Sequence, residues 1–217
     1  GFEDQLRALA ELVAIPSVSS DPNRRSEMVQ SAETVRAYFE ELGLDASIET
    51  ADAPDGTPGR PAVIARGEQI DGRPSVLLYA HHDVQPTGDV TKWSSDPFQM
   101  DIRDGRAYGR GTSDDGAGVV VHLGALKALQ AAGELGVNVT VFIEGEEEVG
   151  SPSFLNFLQT YRDQLRADVI VVADSGNWTV DVPAITSSLR GVAKVDVTLR
   201  VLDHAVHSGM FGGPVLD

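Results

Sequence analysis

The 217-residue chain contains no cysteine. This absence excludes disulfides, thiolate metal ligands and thiol nucleophiles. It is also compatible with the cytosol, so we expect a cytoplasmic location. No apolar run approaches the roughly 20 residues that a transmembrane helix needs. We therefore expect no membrane-spanning segment.

Basic residues are scarce, because 17 Lys and Arg face 33 Asp and Glu, which gives a net charge of -16. Nucleic acids and anionic membranes bind basic surfaces, so we expect neither as a partner. The acidity has two explanations. It could serve solubility alone, or some carboxylates could be ligands of a bound cation, whose charge the count omits.

Three short apolar runs each end at acidic or imidazole side chains. The runs cover residues 75–80, 139–143 and 169–173, and they are followed by His81 and Asp83, by Glu146, Glu147 and Glu148, and by Asp174. Short β-branched runs are typical of buried strands. Functional groups collect at the carboxyl ends of strands in open α/β sheets. We therefore predict a metal site at one edge of a sheet.

Each of these signals also has a structural explanation. A His after a strand is often structural, and Asp114 and Asp115 could simply cap a helix over residues 116–132. Three consecutive Glu residues usually form a solvated helix face, but these follow a strand, and a cation is one way to hold repelling carboxylates together. The joint placement of the clusters favours the metal site. We expect structural roles for His82 and His122.

Periodicity and turn residues predict an α/β fold. Helices are predicted near residues 2–13, 28–42, 116–132 and 151–161, the last with Ser151 as its N-cap. Strands are predicted near residues 44–50, 62–65, 76–79, 137–143, 168–173 and 184–187, with a hairpin over 98–108. After Gly191, apolar and polar residues alternate through Val201, which predicts a half-buried strand of a different texture. We place a domain boundary near residue 190, between residues 1–190 and residues 191–217.

Longer motifs surround the candidate residues. They are Tyr-Ala-His-His-Asp-Val-Gln-Pro at 79–86, Trp93, Asp-Pro-Phe at 96–98, Tyr-Gly-Arg-Gly-Thr-Ser-Asp-Asp at 108–115, Ile-Glu-Gly-Glu-Glu-Glu-Val-Gly-Ser at 143–151, Ala-Asp at 173–174, Leu-Arg-Gly at 189–191 and His-Ser-Gly-Met-Phe-Gly-Gly at 207–213. In this order the chain resembles the co-catalytic zinc peptidases that include carnosine dipeptidases, glutamate carboxypeptidase, acetylornithine deacetylase and aminoacylase. The first three motifs favour the dipeptidase branch.

The resemblance covers essentially the whole chain and implies a fold. Residues 1–190 would be the amino-terminal part of a zinc peptidase catalytic domain, with a mixed central sheet flanked by helices. Residues 191–217 would begin an α+β lid or dimerisation domain with its first strand. The same resemblance implies a homodimer.

The resemblance also implies a ligand set for two zinc ions. Asp114 would bridge the two ions. His81 and Asp174 would complete one site, and Glu148 would bind the other ion.

Further roles are implied for the neighbouring residues. Glu147 would be the general base on the water between the two ions, and Asp83 would hold the ring of His81 in the required tautomer. His207 would bind the substrate, reaching it from the other subunit of the dimer. The peptide between Asp114 and Asp115 would be cis.

Two departures from the family pattern affect these expectations. Gly116 stands where the family usually has Lys, but that Lys is not a ligand, so we expect the zinc site to survive. Family members also continue past this length and there supply a His to the zinc that Glu148 binds. We therefore expect this chain alone to bind at most one zinc tightly and to hydrolyse weakly or not at all.

Three functions are compatible with this pattern. The first is zinc-dependent hydrolysis of the amide bond of dipeptides or similar small substrates. The second is deacylation of N-acyl amino acids, or carboxypeptidase activity, on the same metal core. The third is a catalytically silent metal-binding or dimerisation module, against which the retention of Glu147 argues.

Overall fold

The computed structural model describes residues 1–133, 135–200, 202, 204 and 206–211. The chain forms two compact units, Gly1–Gly176 and Asn177–Asp217. The domain boundary near residue 190 stays a prediction.

A five-stranded mixed sheet is the centre of the first unit. The strands are β1 (Asp45–Glu49), β2 (Ala62–Arg66), β3 (Ser75–His81), β4 (Asp101–Arg103), β5 (Arg106–Tyr108), β6 (Asn138–Glu144) and β7 (Val169–Val172). The order in the large sheet is β1-β2-β6-β3-β7, and β4 pairs with β5 in a separate hairpin. Strand β3 runs parallel to both β6 and β7, whereas β2 is antiparallel to β1 and β6. The predicted mixed sheet and hairpin are confirmed.

Helices cover both faces of this sheet. They are α1 (Phe2–Val13), α2 (Arg25–Glu41), α3 (Gly116–Ala132), α4 (Phe154–Thr160) and α5 (Arg162–Leu165). Apolar side chains of α1, α2 and α3 pack in one core with Val63 and Ala65, while α4 and α5 pack in a second core with Ala62 and Ile64. Alternate residues of β2 thus point to opposite faces, as a buried central strand requires. The predicted α/β class with flanking helices is confirmed.

Two helices end just before the glycines that the sequence predicted as stop signals. Gly43 after α2 and Gly133 after α3 have φ of 80° and 69°, the left-handed conformation that only glycine adopts without strain. The start of α4 differs from the prediction. Ser151 is not its N-cap, because the helix begins at Phe154 and Ser151 itself has a φ of 52°. The preceding loop extends to Ser153, whose backbone and hydroxyl both donate to Glu146.

The second unit differs from the sequence prediction in its described part. The strands expected over residues 184–187 and 192–201 do not form in residues 184–200, which are exposed, and Val201 lies outside the described residues. A half-buried strand needs a neighbouring strand for its backbone and a surface for its apolar face. The described residues of this unit provide neither a neighbouring strand nor such a surface. They form only a bridge between Thr179 and Val182 and the short helix α6 (Ser208–Phe211).

Across the described ranges, every helix is too short or too polar to cross a membrane.

Strand β7 leaves an apolar edge open among the described residues of the first unit. Its four residues, Val169 to Val172, are 43–60% exposed. Exposed apolar edge strands pair readily with other chains. We expect this chain to self-associate in solution and expect Val171→Lys to shift it towards the monomer, as measured by light scattering after gel filtration. Val29→Lys on α2, where Val29 is 50% exposed, is the matched control, and equal effects of both variants would contradict a role for this edge.

Candidate metal centre

Three parallel strands bring the predicted side chains to one edge of the sheet. In the β3–β6 register His81 lies opposite Glu144, and the backbone N–H of Ala173 after β7 donates to the carbonyl of Tyr79 at 2.9 Å. The three strands therefore end at the same level. The residues that follow them, including Glu147 and Asp174, meet there as the sequence predicted.

The imidazole of His81 lies at the centre of this cluster. Its Nε2 is 3.0 Å from Asp114 Oδ1, 3.9 Å from Glu147 Oε2 and 3.9 Å from Asp174 Oδ2. The His81 side chain is 0% exposed, whereas those of Asp114, Glu147 and Asp174 are 62%, 39% and 34% exposed. The site is thus a buried imidazole below a group of carboxylates that open to solvent.

Two overlapping groups of side chains could hold a metal ion. One is His81, Asp114 and Glu148, and the other is His81, Glu147 and Asp174; in each group the ligand atoms lie within 4.8 Å of one another. All five residues were singled out from the sequence. The resemblance implies that Asp114 bridges two ions and that Glu147 acts as the base. These roles stay predictions.

Asp83 lies beside the ring of His81, and its role in holding the ring tautomer stays a prediction. His81 Nδ1 is 3.0 Å from the backbone oxygen of Asp83 and 3.4 Å from its Oδ1. A hydrogen on Nδ1 is therefore donated to Asp83, and Nε2 is the ring nitrogen that faces the carboxylates. Burial alone would lower the pKa of His81, but the hydrogen bond with Asp83 and the surrounding carboxylates raise it to about 10.

Asp83 has a second role that the sequence did not suggest. Its carboxylate is fully buried, and Oδ1 accepts the backbone N–H of Glu147 at 3.2 Å while Oδ2 accepts that of Glu148 at 3.1 Å. One side chain therefore fixes both the ring of His81 and the loop that carries the two glutamates.

The structure separates the roles of the three consecutive glutamates. Glu146 is buried, and its carboxylate accepts the backbone N–H of Arg60 at 3.1 Å, the backbone N–H of Ser153 at 2.7 Å and the Ser153 hydroxyl. It anchors the loop and is not part of either ligand group. Glu147 and Glu148 belong to the site, and partial burial is the main reason that the pKa of each is raised.

The two adjacent aspartates are also divided between structure and site. Asp114 faces the carboxylate cluster, and the peptide that joins it to Asp115 is cis, as the resemblance implied. Asp115 is buried, and it accepts the backbone N–H of Gly118 at 3.2 Å and of His81 at 3.1 Å. It therefore caps α3, as the structural explanation of this pair proposed, and it also holds the backbone of His81. Burial raises the pKa of Asp115 to about 7.

Two further histidines of the first unit lie outside the cluster of ligands. His82 is buried with Nε2 at 2.8 Å from the Pro61 carbonyl, and His122 has Nε2 at 2.9 Å from the Tyr79 carbonyl, so both are structural as predicted. His207 lies in the second unit, where its Nδ1 accepts the N–H of Gly209 at 3.1 Å. Its role in substrate binding stays a prediction.

The position of Gly116 has a local explanation in the structure. Its backbone N–H donates to the carbonyl of Gly111 at 2.9 Å, and a Cβ at this position would lie 2.6 Å from that same carbonyl oxygen. The backbone of the turn before α3 therefore lies too close to Gly116 for this position to carry a side chain, unless the backbone shifts.

The charge balance of the cluster fits a metal ion. Within the described part of the chain, no Lys or Arg forms an ion pair with Asp114, Glu147, Glu148 or Asp174. Carboxylates held together without a basic partner repel, and a bound cation relieves this repulsion. One imidazole nitrogen with several carboxylate oxygens is a ligand set that zinc accepts.

The chain is similar in sequence and in fold to known peptidases. The cysteinylglycine-S-conjugate dipeptidase of Corynebacterium striatum is 37% identical over 211 residues, which is 96% of this chain and 45% of that protein. The crystal structure of human carnosine dipeptidase 1 matches with a TM-score of 0.75 and 28% identity, over 97% of this chain and 46% of that one. An M20 family metallo-carboxypeptidase of Sulfolobus solfataricus matches with a TM-score of 0.70 and 30% identity, over 80% of this chain and 38% of that one.

The match to a family model decides the assignment. This chain spans a little under half the length of the curated relatives it matches. The model of peptidase family M20/M25/M40 matches residues 77–208, a range that includes every predicted ligand. The resemblance inferred from the motifs is confirmed, and the chain belongs to peptidase family M20/M25/M40.

Proposed function

We propose that the whole protein is a zinc-dependent dipeptidase. The observation that carries this proposal is the convergence of four carboxylates on the buried Nε2 of His81 at the ends of three parallel strands. The relatives support the substrate class, since their printed names include a cysteinylglycine-S-conjugate dipeptidase and beta-Ala-His dipeptidases.

His81, Asp114, Asp174 and Glu148 would hold the metal. Bound zinc supplies Lewis acidity, which polarises a substrate carbonyl and makes water a better nucleophile. Burial of His81 and its bond to Asp83 keep the ring directed at the carboxylates, so the ligands need little rearrangement. This preorganisation is what the residues below the site contribute.

Glu147 would move the proton. Its carboxylate lies 3.9 Å from His81 Nε2 and is partly open to solvent, so water and substrate can reach it. As water attacks the carbonyl carbon, Glu147 accepts the proton that the water loses. When the C–N bond breaks, Glu147 returns that proton to the leaving amine. His207 would bind the substrate from the partner subunit of a homodimer.

Removal of the metal tests this proposal directly. We expect dialysis against a chelator to lower dipeptide hydrolysis by the whole protein at least tenfold, because the carboxylates alone cannot polarise the carbonyl. Added Zn²⁺ should restore the rate. Metal content by mass spectrometry and release of free amino acids are the two measurements. Full activity in metal-free protein would contradict the proposal.

A second candidate function uses the same metal core. The solved metallo-carboxypeptidase shares this fold at 30% identity, and an N-acyl amino acid deacylase would need the same ligands. Comparing the rates at which the whole protein cleaves a free dipeptide, an N-blocked dipeptide and an N-acyl amino acid separates the three activities. A dipeptidase should prefer the free dipeptide.

The third candidate, a silent metal-binding or dimerisation module, predicts metal binding without hydrolysis of any of these substrates.

The expectation that this chain alone binds at most one zinc tightly also stays a prediction. Titration with Zn²⁺ decides it, because two tight sites in this chain would contradict it.

A further inference from the structure

We infer that Gln85 is a positioning residue that sets the orientation of Glu148 as a metal ligand. Its side-chain amide nitrogen donates to the Glu148 backbone oxygen at 2.9 Å and to Glu148 Oε2 at 2.8 Å. Among the described residues, Gln85 is the one side chain that hydrogen-bonds this carboxylate. The inference rests on the proposed function, since it concerns the same metal site.

The chemistry of the amide matches this arrangement. A glutamine NH₂ group has two hydrogens and no lone pair to offer, so it can satisfy two acceptors at once. Both atoms of Glu148 that face Gln85 are acceptors. The reversed amide would place a carbonyl oxygen against two oxygens, which is repulsive, so the donor orientation is required.

The position of Gln85 in the chain gives it this reach. It lies two residues after Asp83, whose Oδ2 accepts the backbone N–H of Glu148 at 3.1 Å. The backbone N–H, the backbone oxygen and one carboxylate oxygen of Glu148 are therefore all held by the segment that leaves β3. With Oε2 held by Gln85, rotation of the Glu148 carboxylate is restricted.

The segment after β3 would thus control both ligand groups. His81 is the residue that the two groups share, Asp83 fixes its ring, and Gln85 fixes Glu148. Groups that orient metal ligands typically change metal affinity 10–100-fold when they are removed. Because Gln85 is exposed, its replacement should leave the core and the folding of the chain unchanged.

The test is a double-mutant cycle on Zn²⁺ affinity in the whole protein, measured by competition with a chromophoric chelator. We expect Gln85→Met, which keeps the length but removes both donors, to weaken Zn²⁺ binding about 10–100-fold. In a Glu148→Gln background, Gln85→Met should have no further effect. Gln69→Met is the control, since Gln69 donates at 2.8 Å to Gly67 in the loop before β3, at the opposite end of that strand from His81.

The outcomes separate this inference from the proposed function. Loss of affinity in Gln85→Met that disappears in the Glu148→Gln background supports it. Wild-type affinity in Gln85→Met, or the same loss in both backgrounds, overturns it while leaving the metal site intact. Absence of Zn²⁺ binding by the unaltered whole protein overturns both proposals. Thermal unfolding of each variant without metal shows that the comparison is made between equally folded proteins.

Discussion

Replacement of Glu147 by Gln is expected to lower the kcat of the whole protein by about 10²–10⁴-fold, the usual contribution of a general acid–base group. Gln has the same shape but cannot accept the proton from water or return it to the amine. Glu147 is also not the group that holds the loop, since Glu146 accepts the Ser153 and Arg60 backbone hydrogens. We therefore expect the folding stability of the variant to stay close to that of the unaltered protein.

Zinc content gives this experiment its second readout. If Glu147 is the base, the Glu147→Gln variant should keep its metal, and only its kcat should fall. If Glu147 is instead a ligand, as one of the two geometric groups allows, the variant should lose metal together with activity. Hydrolysis at the unaltered rate would show that the assigned mechanism is wrong. Glu49→Gln, which changes a carboxylate of β1 that accepts from Tyr161 at 2.8 Å, is the control and should leave kcat unchanged.

The sequence was sufficient to predict which side chains meet at this edge of the sheet, because most of its signals are local. His81, Glu148 and Asp174 come shortly after apolar runs, and parallel strands bring such residues together without any further information. The strands β3, β6 and β7 form where the β-branched runs predict them. Glycines after α2 and α3 end those helices as predicted, since a left-handed residue at a helix end is a backbone requirement that one residue type meets.

The features that were not predicted depend on contacts between distant segments. The run of glutamates gives no sign that Glu146 turns inward to Ser153 and Arg60 while the next two face the metal site. The link from Gln85 to Glu148 spans 63 residues of sequence. The start of α4 was misplaced for the same reason, because Ser153 is already engaged by Glu146 and the loop continues past Ser151.

The strand expected after Gly191 shows a different limit. Alternation of polar and apolar residues indicates that a segment can be half-buried, but burial requires a partner. In the described residues 192–200 there is no paired strand, and the apolar side chains are exposed. A pattern of this kind predicts a propensity, and the neighbouring elements decide whether it is realised.

Replacement of Asp83 by Asn is expected to weaken the fold and the metal site together. The carboxylate of Asp83 is fully buried, accepts from the backbones of Glu147 and Glu148, and lies 3.4 Å from Nδ1 of the His81 ring. Asn keeps the shape but turns one acceptor oxygen into a donor that faces another donor. The variant loses the carboxylate charge and leaves a buried backbone N–H without an acceptor. Together these changes should lower the unfolding free energy by roughly 2–4 kcal/mol. Zn²⁺ affinity should fall about 10–100-fold, since the ring and the loop lose their orientation.

Asp83 lies among acidic groups, so removing its charge also relieves repulsion. That relief alone would raise the unfolding free energy of the variant. The direction of its pKa shift decides which effect is larger. Burial alone would raise the pKa of Asp83, but hydrogen bonding with His81 and the charge of that ring lower it. A folded-state pKa below the ordinary value means that the folded protein favours the ionised carboxylate at neutral pH, so its loss is destabilising there.

Urea unfolding in the presence of a chelator measures the stability of this variant without the contribution of bound metal. Asp89→Asn is the matched control. Asp89 is exposed and accepts from the Thr91 backbone at 3.0 Å, so the same carboxylate-to-amide change there should leave the unfolding free energy nearly unchanged. Equal stabilities of the two variants would show that the Asp83 carboxylate does not hold the loop. A stability loss with unchanged Zn²⁺ affinity would mean that the loop contacts support the fold alone, and that the backbone oxygen of Asp83 is sufficient to orient His81.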